Sequence, residues 1–440
     1  MRLSWFSAVA GAVTANALPT ITATGNKFFT SEGKQFFMKG VAYQLTPDDP
    51  LVDTEQCTRD AGLMKTLGAN VIRVYHVDPK ADHDGCMAAF ADAGIYTLID
   101  LDTFSTYILP QTPYWNSTQR DAYAAVLDAF SKYDNSLGFF VGNEIIAEAD
   151  QSMAAPYIKA AARDLKAYRD NKNYRQFPIG YSAADIAELR PMLQDYLTCG
   201  GNASENIDFF ALNSYEWCDP QTYDASGYAN LQSMAIDFPV PIFFSETGCN
   251  QPGPRLFDDQ NAIFGPKMVN DWSGALIYEW IQEANNYGLI SYGPPVDPTA
   301  VGSNIEGGFT RKGMPTPVSP DFNNLKTIWA TITPSGVASS TYDPKHVSTR
   351  ACPTSTASGW LVDGNVKLPT LGETFTGGSF TPTASATGSV TPATKTGSAA
   401  PSSTTSPASN PASGPASVNK ELAGMSAGLL GVMLVFTVWL

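Results

Sequence analysis

The chain has 440 residues, 43% hydrophobic and 11% aromatic, enough for at least one large buried core. Its 42 acidic residues outnumber 27 basic ones, a formal charge of −15 that argues against a nucleic-acid partner and says little about an uncharged ligand. Six cysteines are spread along the chain without a CxxC pair, which speaks against a zinc or dithiol redox motif.

Residues 1–17 predict a secretory signal: Arg2, then an apolar stretch, then Ala15-Asn16-Ala17 as a small-x-small cleavage pattern. The apolar run is too short to span a bilayer. In the oxidising compartment that follows, the cysteines predict disulfides, with about 15 full pairings open. Asn116-Ser117-Thr118 and Asn202-Ala203-Ser204 are acceptor sequences for N-glycosylation.

Residues 18–335 alternate strand-like and helix-like segments. Strands are predicted at 36–42, 71–75, 96–100, 137–143, 179–182, 209–213, 242–246 and 275–278. A helix with Leu63, Met64 and Leu67 on one face stops at Gly68, and another over 86–93 stops at Gly94. Further helices are predicted over 122–130 and 156–168, the latter with Pro at its start. Eight strands with intervening helices predict an α/β fold, a (β/α)8 TIM barrel. A doubly wound open sheet fits less well, because no Gly-rich phosphate loop follows the first strand.

Past residue 335 the pattern thins. Cys352 and Trp360 predict a C-terminal extension over 336–380 that packs on the barrel. Residues 381–417 are Ser/Thr/Pro-rich with Lys395 as their only charge, too little apolar surface to offset ordering entropy, so a disordered stalk is expected. Residues 418–440 are a polar spacer and an uncharged apolar tail, the order of a glycosylphosphatidylinositol signal, with Asn410 or Ser413 as attachment site. A single-pass membrane anchor is the rival, but residues 427–440 are short for a span.

Glu144 closes the run Leu-Gly-Phe-Phe-Val-Gly-Asn-Glu and Glu246 closes Pro-Ile-Phe-Phe-Ser-Glu. A buried parallel strand ending in a carboxylate delivers that group to the mouth of a barrel, here after the fourth and seventh strands. Two carboxylates in one cleft are the minimal equipment for cleaving a glycosidic bond. Asn143 is placed to hydrogen-bond a sugar 2-hydroxyl. His76, Asp78, Asp82, His83 and Asp84 crowd one loop without metal-ligand spacing; helix capping by Asp82 or Asp84 is the simpler reading, and no metal or cofactor is expected.

The chain resembles the fungal cell-wall β-1,3-glucanosyltransferases of glycoside hydrolase family 72. The likeness runs through Gly40-Val41-Ala42-Tyr43-Gln44, Ile72-Arg73-Val74-Tyr75, Leu101-Asp102, Gly142-Asn143-Glu144 and Gly180-Tyr181-Ser182-Ala183-Ala184-Asp185. It continues in Leu212-Asn213-Ser214-Tyr215-Glu216-Trp217-Cys218, Phe243-Phe244-Ser245-Glu246-Thr247-Gly248-Cys249-Asn250, Tyr278-Glu279-Trp280 and Asn286-Tyr287-Gly288. The resemblance implies a retaining transglycosylase that extends one glucan with another, Glu144 as acid/base and Glu246 as nucleophile. It implies a sugar cleft formed by Tyr43, Gln44, Tyr75, Asp102, Tyr215, Tyr278 and Tyr287. It also implies disulfides Cys57–Cys86, Cys199–Cys352 and Cys218–Cys249.

The implied partners are donor and acceptor β-1,3-glucan chains and the outer face of the plasma membrane, with the protein acting as a monomer. An endo-β-1,3-glucanase or an inactive glucan-binding wall protein are the alternatives. Two departures stand out: Cys352 is the only cysteine where many relatives carry a cysteine-rich carbohydrate-binding module, and Thr247 replaces an aromatic residue after the nucleophile.

Overall fold

The computed structural model describes residues 18–374 apart from Phe104, Val301, Ser303, Ser348 and Ser358. The expected signal (1–17), linker (381–417) and anchor signal (418–440), with Asn410 and Ser413, lie outside the described residues.

A short antiparallel hairpin, β1 (Ile21–Thr24) and β2 (Lys27–Thr30), precedes the barrel. Eight parallel strands follow: β3 (Met38–Ala42), β4 (Val71–Val74), β5 (Tyr96–Asp100), β6 (Ser136–Asn143), β7 (Ile179–Ala184), β8 (Phe210–Asn213), β9 (Ile242–Thr247) and β10 (Trp272–Ile277). Each pairs with the next, and β10 pairs with β3, so the sheet closes and the open-sheet alternative is ruled out.

The first two helices between strands end at glycines. Helix α1 (Thr54–Leu67) opens on Asp53, whose carboxylate accepts from Gln56 N–H, and closes on Gly68 at φ 94°. That left-handed conformation is readily reached only without a Cβ. Helix α2 (Asp84–Ala93) stops in the same way at Gly94. Helices α3 (Ser117–Phe130), α4 (Ala155–Asn171), α5 (Arg190–Thr198), α6 (Tyr228–Ala235), α7 (Asp258–Ile263) and α8 (Asp321–Thr331) complete the shell.

Side chains alternate across each strand, so two cores form. Outward-facing residues such as Val41, Ile72, Ile99 and Phe244 pack against the helices. Inward-facing Met38, Val71, Leu98, Phe140, Phe209 and Phe243 fill the lower barrel, which Ile21 and Phe28 of the hairpin close from beneath. Gly180 makes room for this layer: a Cβ there would lie 2.4 Å from the Phe209 ring. Two residues further along the same inward face, Val71 gives way to Arg73, Leu98 to Asp100, Gly180 to Ser182 and Ala211 to Asn213. The barrel is thus apolar below and polar at its mouth.

Beyond α8 the chain stays on the barrel. Cys352 is bonded to Cys199, Trp360 packs 5.6 Å from the Tyr196 ring, and Leu361 N–H donates to Ser152 Oγ. The other disulfides are Cys57–Cys86 and Cys218–Cys249.

Candidate active site

Both glutamates sit at irregularities in their strands. In β6, Phe140 pairs with Gly180 but Asn143 with Ser182, three residues against two. In β9, Leu212 pairs with Phe244 but Asn213 with Glu246, two residues against one. Such bulges re-aim side chains at barrel rims. The first turns Asn143 into the barrel mouth, and Glu144 follows at φ 48°, its N–H donating to Ser182 O. The second lets both Ser245 and Glu246 reach the interior network.

Arg73 organises that network and is fully buried. Its Nε and Nη2 donate to both oxygens of Asp100 at 3.0 and 2.8 Å, a bidentate pairing. Nη2 also donates to Asn143 Oδ1 at 3.0 Å, and Nη1 reaches Ser182 Oγ at 3.2 Å and Glu246 Oε1 at 3.4 Å. Asn213 Oδ1 accepts from Ser182 and Ser245 hydroxyls, which turns its Nδ2 toward Asn143 Oδ1 at 3.0 Å and Glu144 Oε1 at 2.9 Å. Because Asn143 Oδ1 accepts twice, its own Nδ2 is the end of that amide presented to a ligand.

The two carboxylates differ in their donors. Glu246, only 6% exposed, accepts at Oε1 from the Tyr75 hydroxyl and at Oε2 from the Tyr215 hydroxyl, both at 2.9 Å, besides Arg73. Burial pushes its carboxyl up to about 7; Arg73 opposes that, Glu144 adds to it, and the two phenols pull it down. Burial also raises Glu144, opposed by the Asn213 amide and by Arg73. Three donors thus favour the anion at Glu246, one of them cationic, whereas one neutral amide contacts Glu144.

Three tyrosines form a wall beside Glu246. The Tyr215 ring lies 5.6 Å from Tyr287 and 6.4 Å from Tyr278, and Tyr278 and Tyr287 are 5.5 Å apart, all edge to face. Each is partly exposed, as a stacking surface requires. Asp102 continues the inward parity of Asp100; burial and the neighbouring Asp100 push it up to about 7.

Two expected cleft residues act elsewhere. Tyr43 shares the outward parity of Val41, is fully buried, and donates to Asp60 Oδ2 at 2.9 Å, so it packs in the outer core rather than lining the cleft. Gln44 accepts at Oε1 from the N–H groups of Tyr75 and His76 and donates to Thr46 O, bracing the exit of β4 beneath Tyr75.

Thr247 faces away from the cleft, 3.4 Å from the Tyr228 hydroxyl of α6. Of the acidic loop, His83 pairs with Asp49 at 2.8 Å in a buried contact, and Asp82 accepts from Asp84 N–H at the start of α2. Asn202 is exposed, and Asn116 caps α3 through Oδ1.

Sequence reasoning assigned no role to Arg73, Asn213, Ser182 or Ser245. A signal for the first was present, since an arginine inside Val71-Ile72-Arg73-Val74 has to be buried in a strand and therefore paired.

A closed (β/α)8 barrel whose fourth and seventh strands deliver glutamates to one polar network, beside an aromatic wall, defines a carbohydrate-active enzyme of the glycosidase type. Residues 10–297 match the Glucanosyltransferase family, glycoside hydrolase family 72, and the chain belongs to that family. It is 39% identical over 360 residues to the 1,3-beta-glucanosyltransferase gas2 of Schizosaccharomyces pombe, covering 78% of this chain and 74% of that protein. It is 37% identical over 372 residues to the 1,3-beta-glucanosyltransferase GAS2 of Saccharomyces cerevisiae, covering 80% of this chain and 63% of that one. Among solved structures it is similar to Saccharomyces cerevisiae Gas2p in complex with laminaritriose and laminaritetraose, with a TM-score of 0.72 at 38% identity, covering 80% of this chain and 77% of that one.

Proposed function

We propose that this protein is a retaining β-1,3-glucan transglycosylase in which Glu246 is the nucleophile and Glu144 the acid/base. The observation that carries the assignment is the unequal solvation of the two carboxylates: Glu246 receives two phenol hydroxyls and a guanidinium, Glu144 one amide. Where the two share one proton, these donors favour the charge on Glu246 and the proton on Glu144, acting against the burial that raises Glu246 to about 7.

In the first step a Glu246 oxygen attacks the anomeric carbon of the donor glucan. The bond to the departing 3-oxygen breaks, and Glu144 gives that oxygen its proton. In the second step the 3-hydroxyl of an acceptor glucan attacks the same carbon, its proton passes to Glu144, and the ester to Glu246 breaks. The donor has lost its reducing-end fragment and the acceptor has gained the rest. Asn143 Nδ2 is placed to donate to the sugar 2-hydroxyl, and Tyr75 acts through its bond to Glu246. The tyrosine wall supplies stacking surface for a sugar that competes with water.

Incubation with a borohydride-reduced laminari-oligosaccharide tests the reading. Products longer than the donor are expected; only shorter products would identify a hydrolase, and unchanged donor a binding protein.

The 18–335 barrel is proposed as the catalytic domain, followed by the 336–380 extension. On the composition of residues 381–417 and the order of small residues, polar spacer and apolar tail that ends the chain, we read a stalk carrying a glycolipid anchor at Asn410 or Ser413 on the outer face of the plasma membrane, everything after the attachment residue being removed, the 418–440 signal included.

A further inference from the structure

The loop that leaves β9 just after Glu246 returns to the cleft through one buried side chain, Arg255, which is 1% exposed. Its Nη1 donates to the backbone carbonyl of Tyr278 at 2.9 Å and its Nη2 to that of Tyr287 at 2.8 Å. Its Nε donates to Asp321 Oδ2 at 2.7 Å, on the first turn of α8. One guanidinium therefore spans the two tyrosines of the wall and anchors both to a helix of the shell. A planar fork presents such parallel donors in fixed geometry; an ammonium does not.

The loop itself is held at several points. Asp219 Oδ2 accepts from the N–H groups of Leu256 and Phe257, Asn324 Nδ2 donates to Arg255 O, and Cys249 is bonded to Cys218. Asn250 Nδ2 donates to Asn285 O on the segment that carries Tyr287. The nucleophile's exit loop and the aromatic wall are thus one connected unit.

We infer that Arg255 is the positioning residue that sets how the glucosyl-enzyme divides between a sugar acceptor and water. This rests on the transglycosylase reading above. Either a 3-hydroxyl or a water attacks the anomeric carbon, Glu144 takes the attacker's proton, and the Glu246 ester breaks. The two routes differ only in whether an acceptor ring is held in line, and the wall that Arg255 fixes does the holding. A displacement of about 1 Å in such a platform is worth on the order of a hundredfold in an oriented reaction, while water needs no platform.

The experiment compares full-length wild type with Arg255→Lys, Arg255→Met and Asp321→Asn on a reduced laminari-oligosaccharide donor with graded laminari-oligosaccharide acceptor. Longer and shorter products are resolved, and Tm is recorded for each protein. Arg255→Lys is expected to lower the ratio of transfer to hydrolysis about tenfold and to raise the acceptor KM, with donor cleavage changing less than about threefold. Asp321→Asn, which keeps the guanidinium but loses its anchor's charge, is expected to fall between. An unchanged ratio in folded Arg255→Lys overturns the inference, as does an equal fall of cleavage and transfer, which marks a structural role only. If Arg255→Met does not fold, the other two variants decide. A wild type that makes no product longer than its donor overturns the transglycosylase reading instead, a separate result.

Discussion

Asn213 Nδ2 lies 2.9 Å from Glu144 Oε1, and the amide has no freedom to turn away because its Oδ1 accepts from both Ser182 and Ser245. One residue thereby links the two serines of the polar layer to Glu144 through a single neutral hydrogen bond.

That bond lowers the affinity of Glu144 for its proton. Asn213→Ala removes it, so the Glu144 carboxyl rises and the alkaline limb of the kcat/KM profile, where the acid is lost, moves to higher pH. Tyr215→Phe removes a donor that pulls Glu246 down, so the acidic limb, where the nucleophile is protonated, also moves up. Kinetics of donor cleavage across pH 4–9 check both signs; the limbs report apparent values of the pair. A limb moving to lower pH in either variant contradicts the assignment.

On the proposed roles Glu246→Gln removes the nucleophile, and cleavage of every donor is expected to fall by about 10³-fold or more. Glu144→Gln removes proton donation, worth about 10²–10⁴-fold, so an aryl glucoside donor whose leaving group needs no proton should be largely spared in its first step. Burst kinetics with such a donor separate the two roles. A sluggish burst in Glu144→Gln would reverse the assignment.

Arg73→Met leaves Asp100 buried without its bidentate partner. Breaking one side of a buried pair costs about 3–5 kcal/mol, so a clear fall in Tm is expected along with loss of activity. Asp100→Asn should cost less, since the amide oxygen still accepts from the guanidinium. Thermal unfolding followed by circular dichroism measures both.

Asp60, Asp102 and Asp259 are raised by burial to about 6, 7 and 7. Their folded forms hold protons that the unfolded chain, near 3.9, has released. Stability is therefore greatest below about pH 4 for these groups and declines as pH rises to about 7. Asp60→Asn keeps an acceptor for Tyr43, Gln56 and Tyr292 but removes the titration, and should flatten that slope. Tm across pH 4–8 tests this, and a slope as steep as wild type would count against it.

Replacing Cys199 and Cys352 by serine opens a link spanning 153 residues, with an expected loss of about 2–5 kcal/mol and little change in transfer at moderate temperature. Replacing Cys218 and Cys249 acts nearer the chemistry, on the loop between Glu246 and Arg255, and should lower the transfer ratio as well as Tm.

Much of the fold is set by local chemistry. Apolar runs of four to eight residues, glycines at 68 and 94 that only a left-handed turn explains, and carboxylates closing the fourth and seventh runs all act within a few residues of themselves. They set the strand count, the stops of α1 and α2 and the placing of two glutamates at strand ends. Aim is a different matter. Tyr43 and Tyr75 both follow apolar strands and look alike in sequence, yet one faces outward to Asp60 and the other inward to Glu246.

That difference depends on strand parity and on bulges between β6 and β7 and between β8 and β9, which exist only once neighbours are paired. The same holds for Arg255: its partners Tyr278, Tyr287 and Asp321 stand 23, 32 and 66 residues away along the chain. Sequence by itself picked out Glu144 and Glu246 as carboxylates that close buried strands, because residue type and local periodicity suffice for that. Tertiary structure alone decided which donors each carboxylate receives and what holds the tyrosine wall, because hydrogen bonding between distant strands has no local signature.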